Sequence, residues 1–371
     1  MDAPLTVVIA PDSFKGSLDA REVAAALARG WLDVRPHDLV RVMPQADGGE
    51  GTLDAIAAAV PDALRREVGP VTGPDGRPTP GGWLELPGRV GVVELAQCSG
   101  LPLLRELDPL GATTRGLGEV IRHALDGGVE SLVIGLGGSA STDGGAGALS
   151  ALGLTLLGDD GDPIADGGAA LSSLARIDWS GYREPPPGGV TLLADVASPL
   201  LGPRGAAAVF GPQKGADAAA IRTLEHGLSL FAQLLGGDPA AAGSGAAGGT
   251  AYGFAATWDA RIESGAQALQ RLTGLTEAIG STDVVLTGEG RFDDTSMAGK
   301  VVGEVIALAN RHDVRVGIVA GQLAASPETW GCSLAGLAGS TTAAIADPAR
   351  YLEEAGREAA RQLPEWASRK S

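Results

Sequence analysis

The chain has 371 residues, of which 44% are apolar and 20% charged, with 57 glycines, 2 cysteines and a net charge of −17. That length allows a large core and two domains, and glycines that cluster instead of recurring exclude collagen-like and solenoid architectures. The acidic balance argues against nucleic acid as a partner, while Cys98 and Cys332 lack metal-ligand spacing and read as reduced thiols.

Leu5 to Ala10 reads as a buried parallel strand, and Ser17 is predicted to cap the following helix, with Asp19 and Glu22 in its first turn. Val40 to Met43 forms a second strand, whose loop Gln45–Thr52 leads into a helix over Leu53–Val60. Pro and Gly then crowd Gly69–Gly82, and a hairpin follows, Trp83–Leu86 with Val90–Leu95 around Pro87-Gly88. A helix around Gly118–Leu125 precedes the strand Leu132–Ile134. The Gly-rich turn after that strand looks too poor in side chains to pack a core, and opens into a helix over Ala146–Leu152. Thr191–Asp195 is a further strand, Pro185–Gly189 a surface connection, and Ala240–Gly249 has the composition of a flexible linker. Strand, loop and helix return with Asp283–Thr287, Gly288–Asp293 and Lys300–Arg311, followed by a strand over Val314–Ala320. Leu334–Leu337 and a helix over Arg350–Gln362 close the chain.

This order predicts an α/β protein of two domains. Residues 1–67 plus 281–371, from both chain ends, form a Rossmann-like parallel-sheet domain, and 68–280 an inserted mixed α/β domain. Ligands gather beyond the carboxyl ends of parallel strands, so the active site is expected in the cleft between the domains. Asp2 precedes a short apolar run without a basic flank, and nothing approaches the roughly 18 apolar residues of a membrane span. A cytoplasmic location is therefore expected.

The chemistry is concentrated in the loops. Of 28 basic residues only Lys15, Lys214, Lys300 and Lys370 are lysine, and the first three sit in Gly- or Ser-rich turns. A compact ammonium in such a turn suits an anion. The four histidines have helix-like surroundings, which argues against a triad. Gly-rich turns, lysines and carboxylates together fit phosphoryl transfer, which demands positioning and charge neutralisation. Gly299-Lys300 is followed by Val301, so no P-loop motif occurs. Gly135-x-Gly137-x-x-Ala140 imitates a dinucleotide fingerprint, but its turn is crowded by polar groups and no His or Tyr is placed for a hydride step.

The segments Ala10–Leu18 (APDSFKGSL), Ala46–Thr52 (ADGGEGT), Ile134–Gly145 (IGLGGSASTDGG) and Phe210–Ala216 (FGPQKGA) resemble the bacterial type I glycerate kinase family. Gly245–Gly249 and Thr287–Asp293, with Gly299-Lys300, extend the resemblance from about residue 6 to residue 322. It implies ATP- and Mg²⁺-dependent phosphorylation of D-glycerate, usually at the 2-hydroxyl. It also moves Gly245–Gly249 from linker to site. Thr142, Ser198 and Thr295 depart from the family pattern and bear on substrate choice.

Asp195 and Lys15 are the expected catalytic residues: Asp195 ends an apolar strand where it could accept a hydroxyl proton, in a cleft walled by apolar residues. Substrate and phosphate contacts are expected from Ser13, Ser17, Asp47, Gly48, Gly49 and Glu50, then from Gly137, Gly138, Ser139, Thr142, Asp143 and Lys214. Gly248, Gly288, Glu289, Gly290, Arg291, Asp293 and Lys300 complete that set. Asp47, Glu50, Asp143 and Glu289 are unranked metal candidates. The expected partners are D-glycerate and ATP, with a homo-oligomer left open. The alternatives are a non-catalytic binder of a small hydroxy acid and a kinase giving 3-phosphoglycerate.

Overall fold

The computed structural model describes residues 3–14, 16–297 and 300–366, so the expected site residue Lys15 lies outside the described residues. The first two strands are β1 (Thr6–Ile9) and β2 (Leu39–Val42). Next come β3 (Leu64–Thr72), β4 (Pro78–Leu86), β5 (Val90–Glu94) and β6 (Ser131–Gly135). Then follow β7 (Thr155–Leu157), β8 (Arg176–Asp178), β9 (Val190–Leu193) and β10 (Arg261–Glu263). The last three are β11 (Val284–Phe292), β12 (Arg315–Leu323) and β13 (Trp330–Ser333).

The chain divides into two compact units, one holding residues up to Asp47, Asp54–Pro61 and everything from Ala266 onward. The other holds Gly48–Leu53 and Asp62–Gly265. The division drawn from the sequence at 67/68 and 280/281 differs in detail, since β3 lies wholly in the second unit and residues 266–280 lie in the first.

In the first unit all strands run parallel in the order β13-β12-β11-β1-β2. Alternate side chains enter opposite cores. Val7, Ile9, Val284 and Leu286 pack with Leu27, Trp31 and Leu352, whereas Val8, Ala10 and Val285 pack with Ile279, Val305 and Ile318. Both faces of the sheet are thus covered, the normal state of a parallel sheet. The helix Ala20–Val34 is capped by Asp19, not Ser17. The Asp19 carboxylate accepts from the Glu22 N–H at 2.8 Å, and the Glu22 carboxylate accepts from the Asp19 N–H at 3.1 Å.

The second unit has a mixed sheet, β10-β9-β6-β5-β4-β3, parallel from β10 to β5 and antiparallel at β4 and β3. The expected β4–β5 hairpin forms, but both β3 and β4 are longer than the Pro- and Gly-rich composition suggests. Pro70 and Pro80 stand opposite each other, and β3 is an edge strand with an irregularity between Glu67 and Gly69, where prolines are tolerated. A separate antiparallel pair, β7 with β8, completes the strands.

Two further differences bear on the site. The loop expected over Gly288–Asp293 is strand as far as Phe292, because β12 also extends and pairs with it, Glu289 with Ala320 and Arg291 with Gln322. The short elements β13, Leu334–Ala338 and Thr341–Ala346 follow, and of these only Leu334–Leu337 had been marked. Among the described residues no helix is long and apolar enough to cross a membrane.

Candidate active site

In the first unit the segments after β1 and β2 and the end of β11 converge on one pocket of about 470 Å³. Ser13, Ser17, Asp47, Glu289, Gly290, Arg291, Asp293 and Lys300 all line it, as does Asp12. The Asp12 N–H donates to the Gly288 carbonyl at 2.8 Å, which ties the first of these loops to β11. Gly288 has no room for a side chain: a Cβ would stand 2.0 Å from the Val319 carbonyl oxygen.

The charges of this pocket are linked through Thr295. Its hydroxyl donates to Asp293 Oδ1 at 2.7 Å and accepts from Lys300 Nζ at 2.9 Å. The Thr295 N–H reaches the same Asp293 oxygen at 3.0 Å, while Arg291 Nε lies 3.5 Å from Asp293 Oδ2. The Thr295 hydroxyl and N–H, aided by Lys300 and Arg291, hold the Asp293 carboxyl below its usual range. Lys300 itself is exposed and stands just before the helix Val301–Arg311.

Leu334, Thr341, Ala344 and Ile345 also line this pocket. They carry no motif, and the sequence reading missed them. The signal available was the small apolar periodicity of 334–346, too short to be distinctive.

The Gly-rich turn of the second unit is packed, contrary to the expectation from its composition. Residues 139–149 are all buried, and of the turn only Gly138 is exposed. Asp143 has no solvent exposure. Its Oδ2 accepts from the Thr114 N–H at 2.9 Å, the Thr114 hydroxyl at 2.7 Å and the Gly147 N–H at 3.2 Å, and Oδ1 accepts from the Gly145 N–H at 3.0 Å. Thr114 Oγ1 in turn accepts from the Ala148 N–H at 3.0 Å. The N–H groups of Gly145, Gly147 and Ala148 at the helix start are therefore taken by the chain's own carboxylate and hydroxyl. With both oxygens engaged and no access, Asp143 has the geometry of a structural anchor and not of a metal ligand.

Lys214 is also interior, 2% exposed, and its ammonium donates to the Ser141 carbonyl. Burial pushes its pKa down to about 8, and the nearby charge of Asp143 opposes that fall. Gly248 packs against the same turn. Its carbonyl accepts from the Gly144 N–H at 3.0 Å, its φ is +63°, and a Cβ would stand 2.1 Å from the Ser141 oxygen. This is ordered structure and not the linker its composition suggests. Thr142 Oγ1 is buried with no hydrogen-bond partner among the described residues, and Ser139 Oγ bonds to the Ser141 carbonyl at 3.3 Å.

Gly48 and Gly49 dock on this turn from the Gly48–Leu53 loop. The Gly137 N–H donates to the Gly48 carbonyl at 3.0 Å, and a Cβ on Gly137 would stand 2.4 Å from the Gly49 Cα. Glu94, at the end of β5 and 2% exposed, fixes the same loop: its carboxylate accepts from the Gly51 N–H at 3.1 Å and the Leu53 N–H at 3.0 Å. Glu94 was missed, although an acid closing the apolar run Val90–Leu95 was a readable signal. Glu50 is exposed beside it in sequence.

Asp195 lies two residues beyond β9, and it is exposed where an apolar wall was expected. Its Oδ1 accepts from the Gly265 N–H at 3.0 Å, which fixes the carboxylate's orientation. Both cysteines are buried and free, and burial pushes each thiol up to about 12.

Among the described residues no group of three or more His, Cys, Asp or Glu side chains is placed to hold a metal ion alone. Mg²⁺ commonly takes one or two carboxylates and completes its shell with substrate phosphates and water. Asp47 and Glu289, lining one pocket, fit that mode; Asp143 does not.

The sequence profile of the Glycerate kinase family matches residues 7–369. Glycerate kinase of Halalkalibacterium halodurans is 42% identical over 330 residues, covering 86% of each chain. Glycerate 2-kinase of Escherichia coli is 40% identical over 328 residues, again 86% of each. A crystal structure described as a glycerate kinase 2 from Salmonella typhimurium LT2 superposes with a TM-score of 0.83 at 35% identity, over the whole of both chains.

Proposed function

The chain belongs to the glycerate kinase family, and from that premise we propose that it transfers the terminal phosphoryl group of ATP to the 2-hydroxyl of D-glycerate. The observation that carries this reading is the first-unit pocket, where Lys300 and Arg291 share one lining with Asp47 and Glu289. Cations beside carboxylates suit a polyphosphate whose charge is partly met by the protein and partly by a divalent ion. Mg²⁺, held there by Asp47 and Glu289, would neutralise charge on the phosphates.

In the reaction the glycerate hydroxyl oxygen forms a bond to the γ-phosphorus, the bond from that phosphorus to the β-bridging oxygen breaks, and ADP leaves. The hydroxyl proton goes to a base, and Asp195 is assigned that role. Its carboxylate is exposed, and the Gly265 N–H orients it through Oδ1, as a base that must meet a hydroxyl requires. Lys15 is assigned to phosphate on its sequence context alone. The choice of the 2-hydroxyl follows the name of the Escherichia coli relative.

A coupled ADP-release assay with D-glycerate, followed by phosphorus NMR of the product, tests the reaction and its position. A 3-phosphoglycerate signal would overturn the regiochemistry. Asp195→Asn is expected to lower turnover by roughly two to four orders of magnitude with little change in substrate binding. Near-normal turnover in that variant would remove Asp195 from the mechanism.

A further inference from the structure

The lining of the first-unit pocket is of two kinds: Arg291, Asp293 and Lys300 are charged, and Leu334, Ala344 and Ile345 are apolar. Ile345 is 60% exposed, and Leu334 and Ala344 are buried beside it. A three-carbon hydroxy acid is polar at every carbon and gains nothing from an apolar wall. The volume of about 470 Å³ lies within the ~300–1,000 Å³ range of sites that take ligands the size of common cofactors. A ligand with one charged end and one flat apolar end matches both kinds of lining.

We propose that this pocket is the nucleotide site, with the exposed Ile345, backed by the buried Leu334 and Ala344, receiving the nucleoside base and Lys300 the phosphates. The assignment rests on the kinase reading above and adds where the nucleotide lies and which residues hold its base. The wall is held in place from the sheet. Leu334 follows directly on β13, whose Ser333 pairs with Ala320 of β12, and the Gln322 side chain donates to the Thr341 hydroxyl. Gln322 also accepts from Arg291 at 3.3 Å, so one side chain connects the segment that carries Ile345 to a charged lining residue. That linkage gives Gln322 a positioning role between base and phosphate.

Calorimetric titration of the full chain, without glycerate, separates the two ends of the ligand. The probes are ADP and inorganic tripolyphosphate. Ile345→Asn, an uncharged change at an exposed position, is expected to weaken ADP about five- to tenfold and leave tripolyphosphate unchanged. Lys300→Met is expected to weaken both. Ile345→Val should restore ADP binding, and a melting curve confirms that each variant is folded. Unchanged ADP affinity in Ile345→Asn, or equal weakening of both probes, would overturn the assignment. A rise in KM for glycerate alone would also overturn it by giving the pocket to the acid. Because binding is read without turnover, a protein that binds ADP as described but never phosphorylates glycerate would refute the kinase reading and leave the nucleotide site standing.

Discussion

In the second unit, Asp143 is closed off from solvent and accepts from Thr114, Gly145 and Gly147, whereas in the first unit Lys300 and Arg291 are exposed along a pocket. Both regions were read from the sequence as anion-holding loops, on the same grounds of glycine, lysine and carboxylate. The difference lies in what already occupies the donors. At the Gly-rich turn a carboxylate three residues before the helix Ala146–Ala151 fills the place an anion would take, so the motif stabilises the fold. In the pocket the donors are exposed side chains, Arg291 near the end of β11 and Lys300 just before the helix Val301–Arg311. Composition reports that an anion can be held; whether the anion is internal depends on spacing and packing.

That contrast sets the expected responses to substitution. The largest belongs to Asp143→Ala, which leaves the N–H groups of Thr114, Gly145 and Gly147 buried without acceptors. A loss of about 3 kcal/mol or more is expected in denaturant unfolding. Lys300→Met, in the open pocket, should shift the same unfolding curve by less than about 0.5 kcal/mol. Similar stability losses in the two variants would erase the distinction.

The next effect is one of pH. Folded Lys214 loses its proton near pH 8, whereas the unfolded lysine keeps it to about 10.5. Between those values the unfolded chain binds more protons, so the stability contributed by this side chain rises with pH. Below pH 8 both states are protonated and the slope vanishes. Wild type should therefore gain on Lys214→Met by on the order of 1 kcal/mol per pH unit across that window. Parallel curves for the two proteins from pH 7 to 10 would show that the ammonium is not buried in solution.

The smallest effect concerns Thr142, whose buried hydroxyl has no hydrogen-bond partner among the described residues. Thr142→Val keeps the branched shape and removes that hydroxyl, and a gain of about 1 kcal/mol is expected. A raised KM for glycerate with no gain in stability would instead assign the hydroxyl to the substrate.

Much of the scaffold was legible because burial imposes period and length. The runs at β1, β6, β9 and β12 are short, apolar and bounded by turns, and they appear as strands close to where periodicity put them. β3 and the first half of β4 were not legible, since Pro70, Pro78 and Pro80 lower strand propensity and only the partner strand compensates. The end of β11 failed for the same reason: Glu289 and Arg291 suggest a loop until β12 is seen to extend beside them. In the site, charged and glycine-rich segments announced themselves, while Glu94 and the apolar wall at Leu334 and Ile345 did not. Their roles come from what they touch, and contact across distant sequence leaves no local pattern.

The pairing of Val7 with Val284 has a consequence for how the molecule is made. β1 sits between β2 and β11, so one flank is available early in synthesis and the other must wait for most of the chain. At about 5–20 residues per second that wait lasts on the order of tens of seconds. Gly48–Leu53 and Asp62–Gly265 are translated within it, so the whole second unit can form its own core before the first sheet closes. During that interval β1 has β2 and the helix Ala20–Val34 as its shelter, and its unpaired edge is a template on which another chain could pair.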